Sequence, residues 1–183
     1  MTQVEATGLA RAHVERRLAE RHEANARFFA AEGERIAALC HRAAERFARG
    51  GRLLAIGCTP TARSDVRHVA VEFVHPVIVG KRALPALALP DGGSAATVGL
   101  FGGPDDIALA FSADGAAPVL GAALAAAGER GLLTVALVGP GGDWPDVDHV
   151  ITVPSDDPTV VREGHVTAYH VLWELVHVFL EAA

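Results

Sequence analysis

Five short, almost wholly apolar runs constrain the fold of this chain more than any other feature. They are RLLAIG (residues 52–57), LPALAL (84–89), DIALAF (106–111), LLTVALV (132–138) and HVITV (149–153). Continuous apolar runs are typical of parallel strands that are covered on both faces. The intervening segments are turn-rich or helical in pattern, as the connections between parallel strands require. We therefore predict an α/β fold, a three-layer sandwich around a five-stranded, mostly parallel sheet.

The helical segments complete the predicted order of elements. Residues 4–49 carry helical periodicity, and Gly33 is expected to divide them into two helices, so an N-terminal helical hairpin is predicted over residues 1–50. Further helices are predicted over residues 64–75, 116–130 and 158–181. With an α/β core over residues 51–183, the 183 residues fit one domain.

Charge and hydropathy exclude several classes of partner. The net charge is −6, lysine occurs once, and the arginines of the first 50 residues alternate with glutamates, which argues against nucleic-acid binding. No run approaches the ~18 apolar residues of a membrane span, and the N-terminus lacks a secretory apolar run, so a cytoplasmic protein is expected. Cys40 and Cys58 lack metal-site spacing and are interpreted as reduced thiols, although Cys58 follows a strand, where sites form.

Histidine and glutamate share one face of the predicted second helix. His68, Glu72 and His75 are spaced i, i+4 and i+7, which brings them within about 60° around the helix axis. Imidazole and carboxylate are ligands for zinc or another divalent transition metal. A remaining donor would come from the last helix, where His170 is preferred over His177. The alternative is that each histidine is an ordinary hydrogen-bonded boundary residue.

Several motifs follow one another in a characteristic order. They are ARGGRLLAIG before the first strand, Asp65 three residues before His68, the HxxxE of His68 and Glu72, LPALAL followed by Asp91, GERGLLTVALVGPGG, and HVTAYHVLWELVHVFLE. In this order they resemble the sugar isomerase (SIS) family, most closely its phosphoheptose isomerase branch. The resemblance implies a flavodoxin-like, SIS-type fold and a homo-oligomer, a tetramer or a dimer. It spans nearly the whole chain.

The resemblance also implies roles for individual residues. In that branch an HxxxE, a Gln and a His on the last helix bind zinc, which carries over to His68, Glu72 and His170. Aldose and ketose interconvert through an enediol, with Glu72 as the base and His170 as the acid. The position that matches the Gln holds Arg162, which cannot coordinate a metal. His165, one turn along the helix, is a candidate substitute.

The two phosphate-binding loops depart from the family pattern. GNGGS is replaced by GCTPTARSD (57–65), and STSGNS is replaced by SADGAA (112–117), which brings the carboxylate of Asp114 into the cradle. The helix between the second and third strands is expected to be lost from residues 92–104. The predicted substrate-binding residues are Thr59, Thr61, Ser64, Asp65, Asp91 and Ser112.

Three functions remain open from the sequence. The first is metal-assisted isomerisation of a sugar phosphate or related sugar derivative, and the second is a non-catalytic SIS module that binds a protein partner or a metal. The third is an enzyme for a sugar without a phosphate. An apolar stripe on the last helix is predicted to pack between subunits, or alternatively into the chain's own core. Its residues are Val171, Leu172, Leu175, Val176 and Phe179.

Overall fold

Five parallel strands form the centre of the fold. In the computed structural model, which describes residues 3–89, 92–114, 118–144 and 146–182, the sheet has the order β2-β1-β3-β4-β5 and every neighbouring pair is parallel. The α/β prediction is therefore confirmed. The strands are β1 (Leu53–Ile56), β2 (Ala86–Ala88), β3 (Ile107–Ser112), β4 (Leu133–Val138) and β5 (His149–Thr152).

Helices cover both faces of the sheet. They are α1 (Gln3–Ala48), α2 (Pro60–Val74), α3 (Ala95–Phe101), α4 (Pro118–Glu129) and α5 (Pro158–Ala182). Successive residues of β1 point to opposite faces: Leu53 packs with residues of α1, α2 and α5, whereas Leu54 packs with residues of α3 and α4. Helices bury both faces of the sheet, which explains why the strands are continuous apolar runs in the sequence. The predicted three layers are therefore confirmed.

The N-terminal segment is one continuous helix, so the predicted hairpin is wrong. Gly33 lies inside α1 and does not end it. A glycine in a helix interior costs about 1 kcal/mol relative to alanine. Buried side chains on both sides of it, including Phe28 and Ile36, pack in the core shared with α5 and offset that cost. Tertiary packing thus overrides the local signal.

Two further helix predictions need correction. Residues 92–104 do contain a helix, α3, whose N-cap Ser94 accepts a hydrogen bond from the Thr97 amide, so the expected loss of this helix is wrong. Helix α2 begins at Pro60, four residues before the predicted start. Thr59 caps it, and proline suits the first turn because its missing N–H has no partner there in any helix.

The apolar stripe of α5 packs into the chain itself. Leu172 and Val176 are buried in the core, and the remaining three residues of the stripe are partly buried against it. Within the chain, the stripe therefore packs into the core, as the alternative prediction stated. None of the helices in the described ranges combines the length and the hydrophobicity needed to cross a bilayer.

Candidate functional site

The site lies where α2 and α5 run beside each other. Helix α2 follows β1 after a tight turn at Gly57, where an added Cβ would lie 2.8 Å from the Ala62 side chain. The close approach fixes the direction in which α2 leaves the sheet. One face of α2 then lies against α5, and this face carries the HxxxE residues.

Three side chains predicted to act together meet between these helices. His68 and Glu72 of α2 and His170 of α5 offer ligand atoms that all lie within 4.8 Å of one another. Nε2 of His68 is 3.2 Å from Oε1 of Glu72, and Nε2 of His170 is 3.9 Å from the same oxygen. The Glu72 side chain is only 17% exposed, whereas both imidazoles are about two-fifths exposed, so the cluster is open to a small ligand on one side.

The other histidine candidates do not join this cluster. His75 is exposed at the C-cap of α2. His177 is buried, and its ring nitrogens face the backbone carbonyls of Trp173 and Arg82 at 2.8 and 3.0 Å. The choice of His170 over His177 therefore matches the geometry of the described residues.

His165 does not replace the missing ligand. It is 1% exposed, and its ring lies 6.0 Å from that of Phe111. Neither ring nitrogen makes a hydrogen bond of good geometry, although the backbone of Val138 is near enough to favour the protonated form. Burial dominates and lowers the pKa of His165 to about 4, so the imidazole is neutral at physiological pH.

Arg162 is engaged by Asp65 instead of facing the cluster. Its Nε and Nη2 donate to the two carboxylate oxygens of Asp65 at 3.1 and 3.0 Å. Hydrogen bonding to Asp65 raises the pKa of Arg162. The Asp65 side chain is only 5% exposed, and both of its carboxylate oxygens accept from the guanidinium in a bidentate ion pair. A contact of Asp65 with substrate stays a prediction, and in this structure its partner is the guanidinium.

Tyr169 is a site residue that sequence reasoning missed. Its hydroxyl lies 2.6 Å from Nδ1 of His68, on the side of the ring opposite to Glu72, and the side chain is completely buried. Burial raises the pKa of Tyr169, so the hydroxyl keeps its proton. The sequence did contain a signal for this role. Tyr169 is the single tyrosine of the chain and precedes His170 in an apolar helix, where a buried phenol needs a hydrogen-bond partner.

The predicted substrate-binding hydroxyls lie at the carboxyl ends of β1 and β3, which are neighbours in the sheet. Thr59, Thr61 and Ser64 are exposed at the start of α2. The Thr59 hydroxyl accepts from the Ala62 amide and lies 3.1 Å from the Thr61 hydroxyl. These hydroxyls are open to solvent where a ligand of a parallel sheet is expected.

The second loop is already occupied by its own carboxylate. The Ser112 hydroxyl is buried and donates to Asp114 at 2.6 Å, while Asp114 itself is exposed. The predicted Asp91 lies outside the described residues, as does the remainder of this loop, residues 115–117. In the described part of this loop, the Ser112 hydroxyl, which was predicted to bind substrate, is therefore hydrogen-bonded to the carboxylate of Asp114.

A surface cavity of about 320 Å³ opens beside the cluster. Glu72 and His170 line it together with Val77, Ile78, Trp173 and Glu174. The half-buried Cys58 lies elsewhere, after β1, and burial raises the pKa of its thiol, which makes it a poor nucleophile.

Comparison with solved structures confirms the architecture. A phosphoheptose isomerase from Francisella tularensis superimposes with a TM-score of 0.80 at 21% identity, over 97% of this chain and 99% of that one. The phosphoheptose isomerase of Neisseria gonorrhoeae gives 0.79 at 19% identity, over 91% and 98%. At this identity the likeness shows the fold.

Sequence relatives are more similar. No family model matches the chain. A phosphoheptose isomerase of Solidesulfovibrio magneticus is 36% identical over 176 residues, which cover 87% of this chain and 86% of the relative. One from Roseiflexus sp. is 34% identical over 159 residues, or 77% and 80%. With this identity along most of its length, and with the SIS-type fold, the chain belongs to the phosphoheptose isomerase family.

Proposed function

We propose that this protein is an aldose–ketose isomerase of a sugar phosphate or related sugar derivative, and that the cluster of His68, Glu72 and His170 is its active site. One observation carries the proposal. Residues from two helices that are distant in sequence bring two imidazoles and a carboxylate within 4.8 Å of one another beside an open cavity. The same three residues match the family's motif.

Aldose–ketose isomerisation requires two proton-transfer groups on one side of the sugar. A base removes the proton from the carbon next to the carbonyl, and an acid protonates the carbonyl oxygen to give the enediol. Glu72, largely buried, is the proposed base. His170 lies 3.9 Å from it, with its ring partly exposed, and is the proposed acid. Glu72 then returns the proton to the former carbonyl carbon, while His170 takes the proton from the hydroxyl on the adjacent carbon, where the new carbonyl forms.

The donor set also fits zinc or another divalent transition metal. Two imidazoles and one carboxylate form the ligand set of one class of catalytic zinc sites, which leave a further position open. Arg162 is turned towards Asp65, so the fourth protein ligand that the resemblance implies is not supplied. A bound ion would polarise the substrate oxygens. His68, Glu72 and His170 are the residues that would hold it.

Exchange with solvent tests the isomerase directly. Sedoheptulose 7-phosphate and other ketose phosphates would be incubated with the protein in D₂O, and deuterium at the carbon next to the carbonyl would be followed by NMR. We expect incorporation with the wild type and none with Glu72→Gln. The control is Glu129→Gln, which removes an exposed carboxylate on α4. Equal incorporation by both variants would refute the assignment of Glu72.

Metal content is measured separately by elemental analysis of protein purified without an affinity tag. About one ion per chain is expected, and it should be lost in His68→Ala and His170→Ala but kept in the control His75→Ala. Absence of metal from the wild type, even after zinc is supplied, would eliminate metal assistance without deciding the proton-transfer chemistry.

The contact between Ser112 and Asp114 favours a second candidate, a non-catalytic SIS module that binds a protein partner or a metal. A carboxylate beside a phosphate dianion costs about 1–4 kcal/mol, which is tenfold or more in affinity. Exchange with a sugar that lacks phosphate would support an enzyme for such a substrate. Exchange with neither kind of sugar would support the module. We expect Asp114→Ser to strengthen binding of a sugar phosphate, measured by calorimetry.

We also propose that the protein is cytoplasmic and forms a homo-oligomer, a dimer or a tetramer. The oligomer is supported by the apolar loop between α2 and β2, where Val77 is 78% exposed and Val79 is fully exposed. Light scattering coupled to size-exclusion chromatography would give the mass. A monomer at micromolar concentration would contradict this part of the proposal.

A further inference from the structure

Tyr169 is placed to control the orientation of His68. We propose that Tyr169 is a positioning residue that holds the His68 ring by its Nδ1 atom and so presents Nε2 to the space shared with Glu72 and His170. The inference rests on the proposed function, because that space is the proposed metal and proton-transfer site. It adds a residue to which the sequence motifs assign no role.

Two rings of α5 contact the partly exposed ring of His68. Tyr169 and His170 follow each other on α5, and both meet the His68 ring edge to face, with centroids 5.4 and 5.3 Å away and planes inclined by 79° and 78°. The Tyr169 ring is itself packed at right angles against Phe111 at 6.0 Å. Since Tyr169 is completely buried, its hydroxyl is a fixed point and not a mobile surface group.

The hydrogen bonds define one tautomer of neutral His68. The Glu72 carboxylate can only accept, so Nε2 must carry the hydrogen across the 3.2 Å contact. Nδ1 then has a free lone pair and accepts from the Tyr169 hydroxyl at 2.6 Å. Both contacts of the ring are satisfied in this arrangement, whereas in the other tautomer Nδ1 could still donate to the tyrosine oxygen but the hydrogen bond to the Glu72 carboxylate would be lost.

A hydroxyl also serves the ring when Nε2 binds a metal. Coordination through Nε2 requires that the ring hydrogen be on Nδ1, which then donates to a lone pair of the same tyrosine oxygen. A phenol both donates and accepts, so Tyr169 is compatible with either state, whereas a carboxylate or a carbonyl could serve only the second. Partners of this kind typically contribute 10–100-fold to metal affinity.

The variant Tyr169→Phe removes the hydroxyl and keeps the ring. Zinc affinity would be measured by competition with a chromophoric chelator, and we expect 10–100-fold weaker binding than in the wild type. The matched control is Thr167→Val, which removes a hydroxyl from the same helix; that hydroxyl donates to the Glu163 carbonyl, away from the cluster. Equal zinc affinity in Tyr169→Phe and Thr167→Val, at matched thermal stability, would overturn the inference.

A second measurement needs no metal. Long-range ¹H–¹⁵N spectra of histidine-labelled, metal-free wild type at alkaline pH, where imidazoles are neutral, report the tautomer of each ring. We expect His68 to carry its hydrogen on Nε2 and the ¹⁵N resonance of its Nδ1 to show a hydrogen bond from Tyr169, which Tyr169→Phe should remove. An Nδ1 resonance of His68 that is the same in the wild type and in Tyr169→Phe would overturn the inference. If the wild type binds no metal but the Nδ1 resonance changes as expected, the metal proposal fails and the positioning role stands.

Discussion

Buried His165 should make the protein lose stability in mild acid. Its pKa is lowered to about 4 by burial, while in the unfolded chain it is near 6.5. Between these values the unfolded state binds more protons than the folded state, so the free energy of unfolding falls as the pH falls. The stability is complete above pH 6.5. At about 1.36 kcal/mol per unit, the full loss by pH 4 is about 3 kcal/mol, and about 2 kcal/mol is lost by about pH 5.

The perturbation that isolates this effect is His165→Leu. Leucine suits an apolar surrounding, and the imidazole leaves no hydrogen-bond partner behind because neither ring nitrogen makes a well-formed bond. Urea unfolding at neutral pH and at about pH 5 would give the free energy of unfolding at each. We expect the difference between the two to be smaller by about 2 kcal/mol in the variant than in the wild type.

Comparison of the two proteins removes the contributions of other groups. Burial also lowers the pKa of His149, but that group titrates identically in both proteins. The control His22→Gln changes an exposed histidine of α1 and should keep the wild-type pH dependence. If His165→Leu loses as much stability as the wild type between the two pH values, the buried neutral imidazole is not the cause and the argument fails.

Two further substitutions test the ion pair between Arg162 and Asp65 and the close packing at Gly139. Arg162→Gln leaves the Asp65 carboxylate buried without its partner, so the free energy of unfolding should fall by about 3 kcal/mol, and adding Asp65→Asn should recover part of it; an unchanged midpoint in urea would show that the pair contributes nothing. Gly139→Ala would place a Cβ 2.2 Å from the Ala113 carbonyl oxygen, which costs about 2 kcal/mol, measured by thermal unfolding. The control Gly121→Ala, inside α4 with nothing within 4 Å, should instead gain about 1 kcal/mol, and a similar change in both would contradict the packing argument.

The strands were predictable because their signal is local and redundant. Each run is apolar on both faces, and the sheet is covered on both faces by helices, so no alternation was needed to recognise it. The failures concern helices. Gly33 weakens a helix by about 1 kcal/mol, which the packing of α1 on α5 outweighs, and α3 is a short helix whose cap at Ser94 is easily taken for a loop.

The site was predictable in part. Spacing placed His68 and Glu72 on one face of α2, His170 was preferred on the last helix, and the family resemblance implied the same residue. Tyr169 escaped because a tyrosine in an apolar helix is ordinary until its hydroxyl is seen to face a histidine 101 residues away in sequence. Asp65 and Arg162 are 97 residues apart, so their pairing leaves no local signal in the sequence.

The sequence by itself determined the five strands, most of the helices and the side chains able to hold a metal or move a proton, since these follow from periodicity within one segment. Only the tertiary structure decided which partners those side chains have. The packing of α5 along α2 pairs Asp65 with Arg162, His68 with Tyr169 and Glu72 with His170. The physical reason is that hydrogen bonds and ion pairs act over a few ångströms, and only the folded chain brings residues a hundred positions apart within that range.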